Sequence, residues 1–252
     1  MNADALREAC DRNLTAAFAS LVPHTEAGNG EIRSFGAVVA VATGLPIAFY
    51  NPVMVTDPRA TGEDLSAAVG WIRALGFPAS IQLRADLRER LESAARGLGL
   101  EPASWITPGM ALYPIPRIPS SPSELRIELV AAEGFGDWHA GIAYGPNFQR
   151  IFVPSLLDDP AFRLLVGYAD DQAVAGAAAI MSDEVVGVYA VGTAEHARRR
   201  GFGEALTWAA VRAGVEVGCN VAVLQSSEMA AKLYRQMGFV DVCRYVEYAP
   251  AS

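Results

Sequence analysis

The stretch over 189–205, YAVGTAEHARRRGFGEA, combines positive charge, glycine and the start of a helical pattern. Three consecutive arginines over 198–200 lead into Gly201 and Gly203. The first amides of a helix lack intrahelical acceptors, and the helix dipole adds partial positive charge at that end. Glycine lets a ligand approach the backbone because no Cβ intervenes. This pattern predicts a phosphate or diphosphate site, and a solvated basic turn is the alternative.

Two other phosphate-binding motifs do not fit this turn. A Walker A loop requires Gly-x4-Gly-Lys-Ser/Thr, and no such run occurs in the chain. A dinucleotide fingerprint requires Gly-x-Gly-x-x-Gly with an acid about twenty residues later, which is also missing. The turn therefore predicts a different class of anion site.

The composition limits the classes of function. The 252 residues carry a net charge of −8, with 52% hydrophobic and 19% charged residues, which indicates a folded protein without a nucleic-acid or membrane partner. No apolar run approaches the 18 or so residues of a membrane span, and the N-terminus has no signal-peptide pattern. Cys10, Cys219 and Cys243 lack metal-ligand spacing, so we expect no metal site and a cytoplasmic location.

A proline-rich segment over 113–124, YPIPRIPSSPSE, divides the chain near its middle. Its four prolines remove amide donors and favour extended backbone, which predicts a linker. We therefore expect two domains, over 1–118 and 119–252.

Apolar runs bounded by turn residues and helical patterns predict the same order of elements in both halves. In the first half, strands are expected over 34–44, 47–56, 79–84 and 104–114, with helices over 62–76 and 86–99. In the second half, strands are expected near 125–131 and over 162–170, 173–182, 185–193, 221–227 and 239–249, with helices over 202–217 and 228–238.

The two halves also share sparse identities at a nearly constant offset. The pairs are Tyr50 with Tyr189, Leu65 with Leu206, Gly76 with Gly218, and Leu91 with Leu233, at offsets of 139 to 142 residues. Such an offset through four elements predicts a duplicated α/β unit. The first copy has TDPRATGED in place of the arginine and glycine turn, and its acids Asp57, Glu63 and Asp64 oppose a diphosphate electrostatically.

Two motifs in the second half resemble the GNAT superfamily of acyl-CoA N-acyltransferases. Arg198, Gly201 and Gly203 occupy the family's Arg/Gln-x-x-Gly-x-Gly/Ala pattern. AKLYRQMGF, over 231–239, is similar to the second signature, Asn-x-x-Ala-x-x-Leu-Tyr-x-x-x-Gly-Phe, with Ser227 at the asparagine position. The two motifs stand at the family's separation, and the resemblance covers roughly residues 125–252.

The resemblance implies an α/β (α+β) fold of two GNAT-like units, each a mixed, mostly antiparallel sheet flanked by helices. In the C-terminal unit, strands four and five are expected to splay into a V-shaped slot. Residues 119–252 would form the catalytic N-acetyltransferase domain, and residues 1–118 a degenerate tandem copy without the cofactor motif. That copy would complete the sheet and wall the acceptor site, or be purely structural.

The resemblance also implies acetyl-CoA as co-substrate. Amides of the turn would hold its pyrophosphate, and the main chain of the preceding strand would align its pantetheine arm like an added strand. Ser227 would bond the same arm, cap the following helix, or do both. The expected cofactor-binding residues are Val191, Gly192, Thr193, Arg198, Arg199, Arg200, Gly201, Phe202, Gly203, Glu204 and Ser227.

Tyr234 is the expected catalytic side chain. It falls at the family's tyrosine position, where a hydroxyl protonates the departing thiolate or only positions the thiol. Packing of the ring against the sheet is the alternative role.

The sequence patterns do not identify the general base. Some relatives carry a glutamate at the position occupied here by Gly187, so that base is absent. Tyr189, Glu184, His139 and His196 are candidates, and direct attack by an amine that loses its proton through water is the alternative. Trp138, Tyr144 and Phe148 are expected to shape an acceptor pocket or to belong to the core.

Three functions are compatible with these patterns. The favoured one is transfer of an acetyl group to a primary amine of a small molecule or protein, by direct attack in a ternary complex. The others are a non-catalytic acyl-CoA sensor and a transferase of longer acyl chains, for which Ala177, Ala178 and Ala179 would leave room. The acidic exterior weakly favours cationic acceptors, and a monomer or homodimer is expected.

Overall fold

The apolar runs of both halves assemble into one twelve-stranded sheet, and the computed structural model describes residues 1–251. The strands are β1 (Glu31–Phe35), β2 (Val38–Ala42), β3 (Pro52–Val55), β4 (Ser80–Arg84), β5 (Leu100–Pro102), β6 (Thr107–Leu112), β7 (Arg126–Leu129), β8 (Phe162–Ala169), β9 (Gln172–Ser182), β10 (Val185–Thr193), β11 (Val221–Gln225) and β12 (Val240–Pro250). The helices are α1 (Ala3–Leu21), α2 (Gly62–Ala74), α3 (Arg88–Gly97), α4 (Phe135–Ile142), α5 (Pro146–Gln149), α6 (Phe202–Glu216) and α7 (Glu228–Gln236).

The order of strands across the sheet is β1-β2-β3-β4-β12-β6-β11-β10-β9-β8-β7, and β5 pairs with the end of β12. Neighbouring strands are antiparallel except for β3 with β4 and β10 with β11. Each parallel pair is connected by one helix, α2 in the first half and α6 in the second. The predicted fold class, a mixed and mostly antiparallel sheet flanked by helices, is confirmed.

The two halves exchange their last strands. β6, from the first half, pairs with β11 of the second, and β12, from the second half, pairs with β4 of the first. β6 and β12 also pair with each other and join the two half-sheets at the centre. The sheet is therefore continuous across the predicted domain boundary at 118/119, although residues 113–125 between β6 and β7 form neither helix nor strand.

The exchanged strands also contribute to each other's hydrophobic cores. Met110 and Leu112 of β6 are buried in the second half, beneath α6 and α7. Val246 and Tyr248 of β12 are buried in the first half, beneath α2 and α3. Because both cores need the other half's strand, neither half has a complete core from its own residues alone.

On the opposite face, α1 crosses the centre of the sheet above the exchanged strands and anchors to them through a buried polar cluster. Arg84 of β4 donates to Asp11 of α1 at 2.7 Å, and to Asp86 at 2.6 Å. Tyr245 of β12 donates its hydroxyl proton to Asp11 at 2.6 Å. Burial raises the pKa of Asp11, against the opposing effects of Tyr245 and Arg84. The cluster thus joins one helix to one strand from each half.

Several predicted bounds are wrong in the first half. The single strand expected over 34–44 is a hairpin of β1 and β2, turning at Gly36 with a φ of +55°. A side chain at Gly36 would collide with the Asp64 carboxylate, so the turn depends on glycine. The strand expected over 47–56 shortens to β3, because a 3-10 helix occupies Ala48–Tyr50. The sequence did not define α4 and α5 as separate helices.

No helix among residues 1–251 is long and apolar enough to cross a membrane. Within the same residues, no group of three or more His, Cys, Asp or Glu side chains could hold a metal ion.

We predict that Arg84→Met destabilises the protein by about 3–5 kcal/mol, because it leaves the buried Asp11 carboxylate without its ion-pair partner. Arg88→Met is the matched control, since Arg88 forms a partly exposed i,i+4 pair with Glu92 that is worth only about 0.5 kcal/mol. Urea denaturation of both variants measures the difference. Similar losses in the two variants would contradict a structural role for the buried cluster.

Candidate functional site

The arginine and glycine turn presents a row of unpaired amides at the start of α6. Arg199 and Gly201 adopt positive φ angles of 65° and 79°, and α6 begins at Phe202 without a side-chain cap. Among residues 1–251, the amides from Arg199 to Glu204 donate no hydrogen bond, whereas Ala205 donates to the Gly201 carbonyl. This geometry is suited to an anion, because several donors and the helix dipole converge on one point.

Gly203 leaves open space in front of these amides. A Cβ at this position would meet only Thr193 Oγ1 at 3.5 Å and Val191 Cγ1 at 4.0 Å, both ordinary contacts. The protein's own packing therefore does not require glycine here. The position is open toward the end of β10, where a ligand that follows the strand would reach the helix.

The three arginines have different surroundings. Arg198 donates from Nε to the Thr193 carbonyl at 3.3 Å, and the Arg199 side chain is exposed. Arg200 pairs with Glu124 at 3.2 Å, and its guanidinium lies 4.6 Å from the centre of the Phe202 ring. Arg200 is thus held beside the turn by contacts within the protein. The Phe202 ring is buried in the core, so only the Phe202 backbone can face a ligand.

The slot beside the turn forms where β10 and β11 separate. The two strands pair in parallel from Val185 to Val188 of β10 and no further, although β10 continues to Thr193. A bulge between Tyr189 and Gly192, with Ala190 at a φ of +53°, bends β10 at this point. The predicted V-shaped splay between strands four and five of the C-terminal unit is therefore present.

Main-chain groups of β10 are partly engaged by neighbouring elements. The Tyr144 hydroxyl donates to the Val191 carbonyl at 3.1 Å. This carbonyl is one of the backbone groups expected to align a pantetheine arm. A Cβ at Gly192 would collide with the Ile142 carbonyl, so this glycine is needed for the approach of α4. A carbonyl oxygen accepts two hydrogen bonds, so the contact with Tyr144 does not by itself prevent a ligand from donating to the same oxygen.

Tyr234 and Ser227 belong to the helix on the far side of the slot. Tyr234, on α7, is 8% exposed, and its burial raises the pKa of the hydroxyl to about 12, with Thr207 opposing the shift. Its hydroxyl therefore keeps its proton at neutral pH. Ser227 is the N-cap of α7, where its side chain accepts from Ala230 at 3.3 Å. The capping role expected for Ser227 is thus present.

A cavity of about 430 Å³ opens from this slot toward the first half of the chain. Its wall combines residues from α1, the first-half loops, the exchanged strands, α7 and the α4–α5 region. The lining residues are Leu14, Ala17, Phe18, Leu21, Phe49, Tyr50, Gln82, Trp105, Thr107, Tyr144, Phe148, Ile151, Phe152, Ile180, Val188, Tyr189, Ala190, Val191, Gln225, Ser226, Ser227, Ala230, Tyr234, Tyr245 and Glu247.

None of the open base candidates is arranged as a base toward this cavity. Tyr189 lines it, but its hydroxyl donates to Asn13 at 2.8 Å, and burial raises its pKa well above the usual value. Glu184 bonds Asn220 at the opposite end of β10. His139 is not a lining residue, and its ring bonds the Phe152 carbonyl. His196 is exposed on the 3-10 helix before the turn. Proton loss through water remains the alternative.

The aromatic residues expected at the acceptor pocket divide into two groups. Tyr144 and Phe148 line the cavity. Trp138 is fully buried behind it, and its Nε1 donates to the Ala177 carbonyl at 3.0 Å, so Trp138 is a core residue. Ala177, Ala178 and Ala179 are also completely buried and do not line the cavity.

Glu247 is a lining residue that the sequence patterns did not identify. It lies on β12, and burial raises the pKa of its carboxyl group. Local sequence gives no signal for it, because Glu247 is a single acid within the apolar run of an expected strand over 239–249. Only the strand exchange places this residue beside a cavity that the other half helps to form.

Comparison with known proteins identifies the class. Residues 133–239 match the model of the Acetyltransferase (GNAT) family. A GCN5-related N-acetyltransferase from Kribbella flavida has a similar structure at 23% identity, with a TM-score of 0.73 and 96% of each chain covered. A tandem GNAT protein from the clavulanic acid biosynthesis pathway superposes at 11% identity, with a TM-score of 0.61 and coverage of 100% of this chain and 98% of that one. None of the curated proteins that were compared matches this chain.

These findings show a GNAT-like domain within the second half of the chain. Residues 133–239 form a GNAT domain, and the whole chain shares its fold with a tandem GNAT protein. Members of this family generally use acetyl-CoA, and the fold and family support acyl transfer as the general activity.

We predict that Glu247→Gln makes the protein more stable at neutral pH. The pKa of Glu247 is raised in the folded state from its unfolded value near 4.5. The protonated carboxyl therefore contributes to the free energy of unfolding in full below pH 4.5, and this contribution is lost as the pH rises through the folded-state pKa. The neutral glutamine avoids that loss. The free energy of unfolding of Glu247→Gln should therefore exceed that of the wild type at pH 7, and the excess should shrink below about pH 4.5.

Urea denaturation at both pH values tests this expectation. Glu31→Gln, which removes an exposed carboxylate from β1, is the control and should show a much smaller pH-dependent difference. A Glu247 variant that is less stable than wild type at pH 7 would show that the carboxylate has a stabilising partner in the fold.

Proposed function

We propose that the protein is an N-acetyltransferase that transfers an acetyl group from acetyl-CoA to a primary amine of a small molecule or protein. The observation that carries this proposal is the row of unpaired amides from Arg199 to Glu204, at the mouth of the slot between β10 and β11. A diphosphate satisfies such donors better than water alone, because the helix dipole and the adjacent arginines add positive potential.

The residues of the turn and of β10 fit acetyl-CoA. The amides of Arg199, Arg200, Gly201, Phe202, Gly203 and Glu204 would hold its diphosphate, with the exposed side chains of Arg198 and Arg199 adding charge. The main chain of Val191, Gly192 and Thr193, together with Ser227 across the slot, would align its pantetheine arm. When bound, acetyl-CoA supplies an acyl group activated as a thioester.

Tyr234 supplies a proton to the departing thiolate. Its position at the inner end of the slot and a pKa of about 12 keep the hydroxyl protonated, so it is available as a donor. The cavity lining contains no cysteine and no histidine among the described residues, which favours direct attack by the amine in a ternary complex over a covalent acyl-enzyme.

The acceptor amine would enter the cavity from the side of the first half. In this proposal residues 119–252 carry the donor site, while residues 1–118 contribute β6 and one wall of the cavity. The first half has no arginine and glycine turn: α2 is capped by Thr61 in a capping box with Asp64, which satisfies the amides of these two residues. A second acetyl-CoA is therefore not expected there.

We predict that Gly203→Asp lowers the affinity for coenzyme A by roughly two orders of magnitude, because a carboxylate would lie within a few ångströms of the diphosphate. The folded protein should keep or slightly gain stability, since an acid in the first turn of a helix is favourable. Gly203→Asn separates size from charge and should have the smaller effect. Isothermal titration with coenzyme A measures the affinity, and unchanged binding in the Asp variant would refute the turn as the diphosphate site.

We predict that Tyr234→Phe lowers kcat by about 100-fold or more while coenzyme A affinity changes little, because the variant loses a proton donor and keeps the ring. Release of free thiol in the presence of an amine library measures the rate. A donor panel with longer acyl chains, run alongside, tests the alternative donor specificity. Binding of acetyl-CoA without amine-dependent thiol release would support the sensor function instead.

A further inference from the structure

The cavity has a single charged side chain in its wall. Glu247 is the only Asp, Glu, Lys, Arg or His among the lining residues, and within residues 1–251 its carboxylate forms no hydrogen bond or ion pair. Burial alone raises its pKa, with no neighbouring charge contributing. A partly buried carboxylate without a partner is costly, and a cationic ligand would remove that cost.

A second unpartnered polar group lies beside it. Gln82 of β4 stands directly opposite Glu247 of β12 in the strand register, and it also lines the cavity. Gln82 is 8% exposed, and its Nε2 has no hydrogen-bond partner in the described structure. An unpaired amide N–H is costly and needs an acceptor, and the carboxylate that the strand register places opposite it is that of Glu247. Gln82 is thus placed to orient the Glu247 carboxylate, and it does not itself bind a cation.

Glu247 lies far from the proposed donor strand. In the sheet, β12 is separated from β10 by β6 and β11, which amounts to three strand spacings. At roughly 4.8 Å per spacing the two backbones are about 14 Å apart, and the splay between β11 and β10 widens the gap. An amine beside the Val191 backbone is therefore too distant for Glu247 to remove its proton, and Glu247 must act on another part of the acceptor.

The wall between these two ends is largely aromatic and aliphatic. Phe18 packs edge-on against Phe49, with ring centres 5.9 Å apart. Phe49 and Trp105 stay 47% and 57% exposed at the rim, although both are large and apolar. Aromatic faces attract cations as well as apolar chains, and they complement a carboxylate in binding an organic ammonium group.

From these observations we propose that the acceptor is an amine with a second cationic group, joined to the reacting nitrogen by an apolar segment, and that Glu247 binds the distant cation. The proposal rests on the proposed acetyl transfer for the role of the near nitrogen. Glu247 is a specificity-determining residue in this arrangement, and Gln82 supports it. The aromatic side chains cover the connecting segment.

Matched pairs of linear amines test this proposal without catalysis. Hexane, octane and decane diamines, with a primary amine at each end, are compared with the monoamines of the same length by isothermal titration near neutral pH. For at least one length, the diamine should bind wild-type protein about ten- to hundredfold more tightly than its monoamine, the range expected for a charge-assisted hydrogen bond. Equal binding of the two amines at every length, including no binding of either, overturns the proposal.

Variants test whether Glu247 causes the preference for the diamine over the monoamine. Glu247→Gln should abolish the difference between diamine and monoamine, while the control Glu31→Gln should retain it. Gln82→Met should reduce the difference without removing it. A preference for the diamine that survives in Glu247→Gln also overturns the proposal. The stability of the variant does not affect this result, because the two ligands are compared on the same protein.

The same reagents separate this proposal from the proposed function. Gly203→Asp should lose coenzyme A binding and keep the diamine preference, so failure of one does not imply failure of the other. In acetyl transfer, Glu247→Gln should raise KM for the diamine and leave kcat and the monoamine reaction nearly unchanged. Equal losses in kcat for both amines would instead assign Glu247 to proton transfer.

Discussion

The pairing of β6 with β12 at the centre of the sheet is the constraint on which the other features depend. Each strand completes the sheet of the half that did not contribute it, and each buries its side chains in that half's core. Separating the halves would expose two sheet edges and two incomplete cores together. The exchange therefore holds the two copies in a fixed relation, and the cavity between them keeps a defined shape.

That fixed relation allows one site to use side chains that are distant in sequence. α1 crosses the exchanged strands, and the Asp11, Arg84 and Tyr245 cluster fixes its position. The cavity wall then combines residues of α1 and the first-half loops with residues of α7 and β10. The starts of the two corresponding helices differ accordingly: the turn before α6 leaves its amides unpaired, whereas a capping box satisfies the Thr61 and Asp64 amides at the start of α2.

The proposed donor end of the site depends on backbone groups that the sheet leaves unpaired. The bulge in β10 and the end of its pairing with β11 open the slot, and the turn before α6 presents its amides at the mouth. At the other end, the cavity wall contains a half-buried carboxylate, that of Glu247, and a buried amide nitrogen without a partner, that of Gln82. Both ends keep polar groups unsatisfied at some cost in stability, as is common at binding sites.

The sequence by itself determined the turn and the helix to which the proposal assigns the donor. The motifs around Arg198, Gly201, Gly203 and Tyr234 are local, because the helix starts and the strands beside them are set by residues within a few positions. The duplication followed from the common order of elements and the nearly constant offset of identities, and the mixed sheet followed from the resemblance to the GNAT superfamily. The hairpin at Gly36 was missed because its requirement for glycine comes from Asp64, which approaches only in the folded chain.

Only the tertiary structure decided the end of the cavity to which the proposal assigns the acceptor. Strand periodicity states which face a residue occupies but not which strand will pair beside it, so nothing local indicates that β12 joins β4. Glu247 therefore resembles an ordinary solvent-facing strand residue in the sequence, and Trp138 resembles a pocket residue although it is core. Partner choice among strands depends on long-range burial summed over both halves, which is why the exchange and the cavity it builds emerge only in the folded protein.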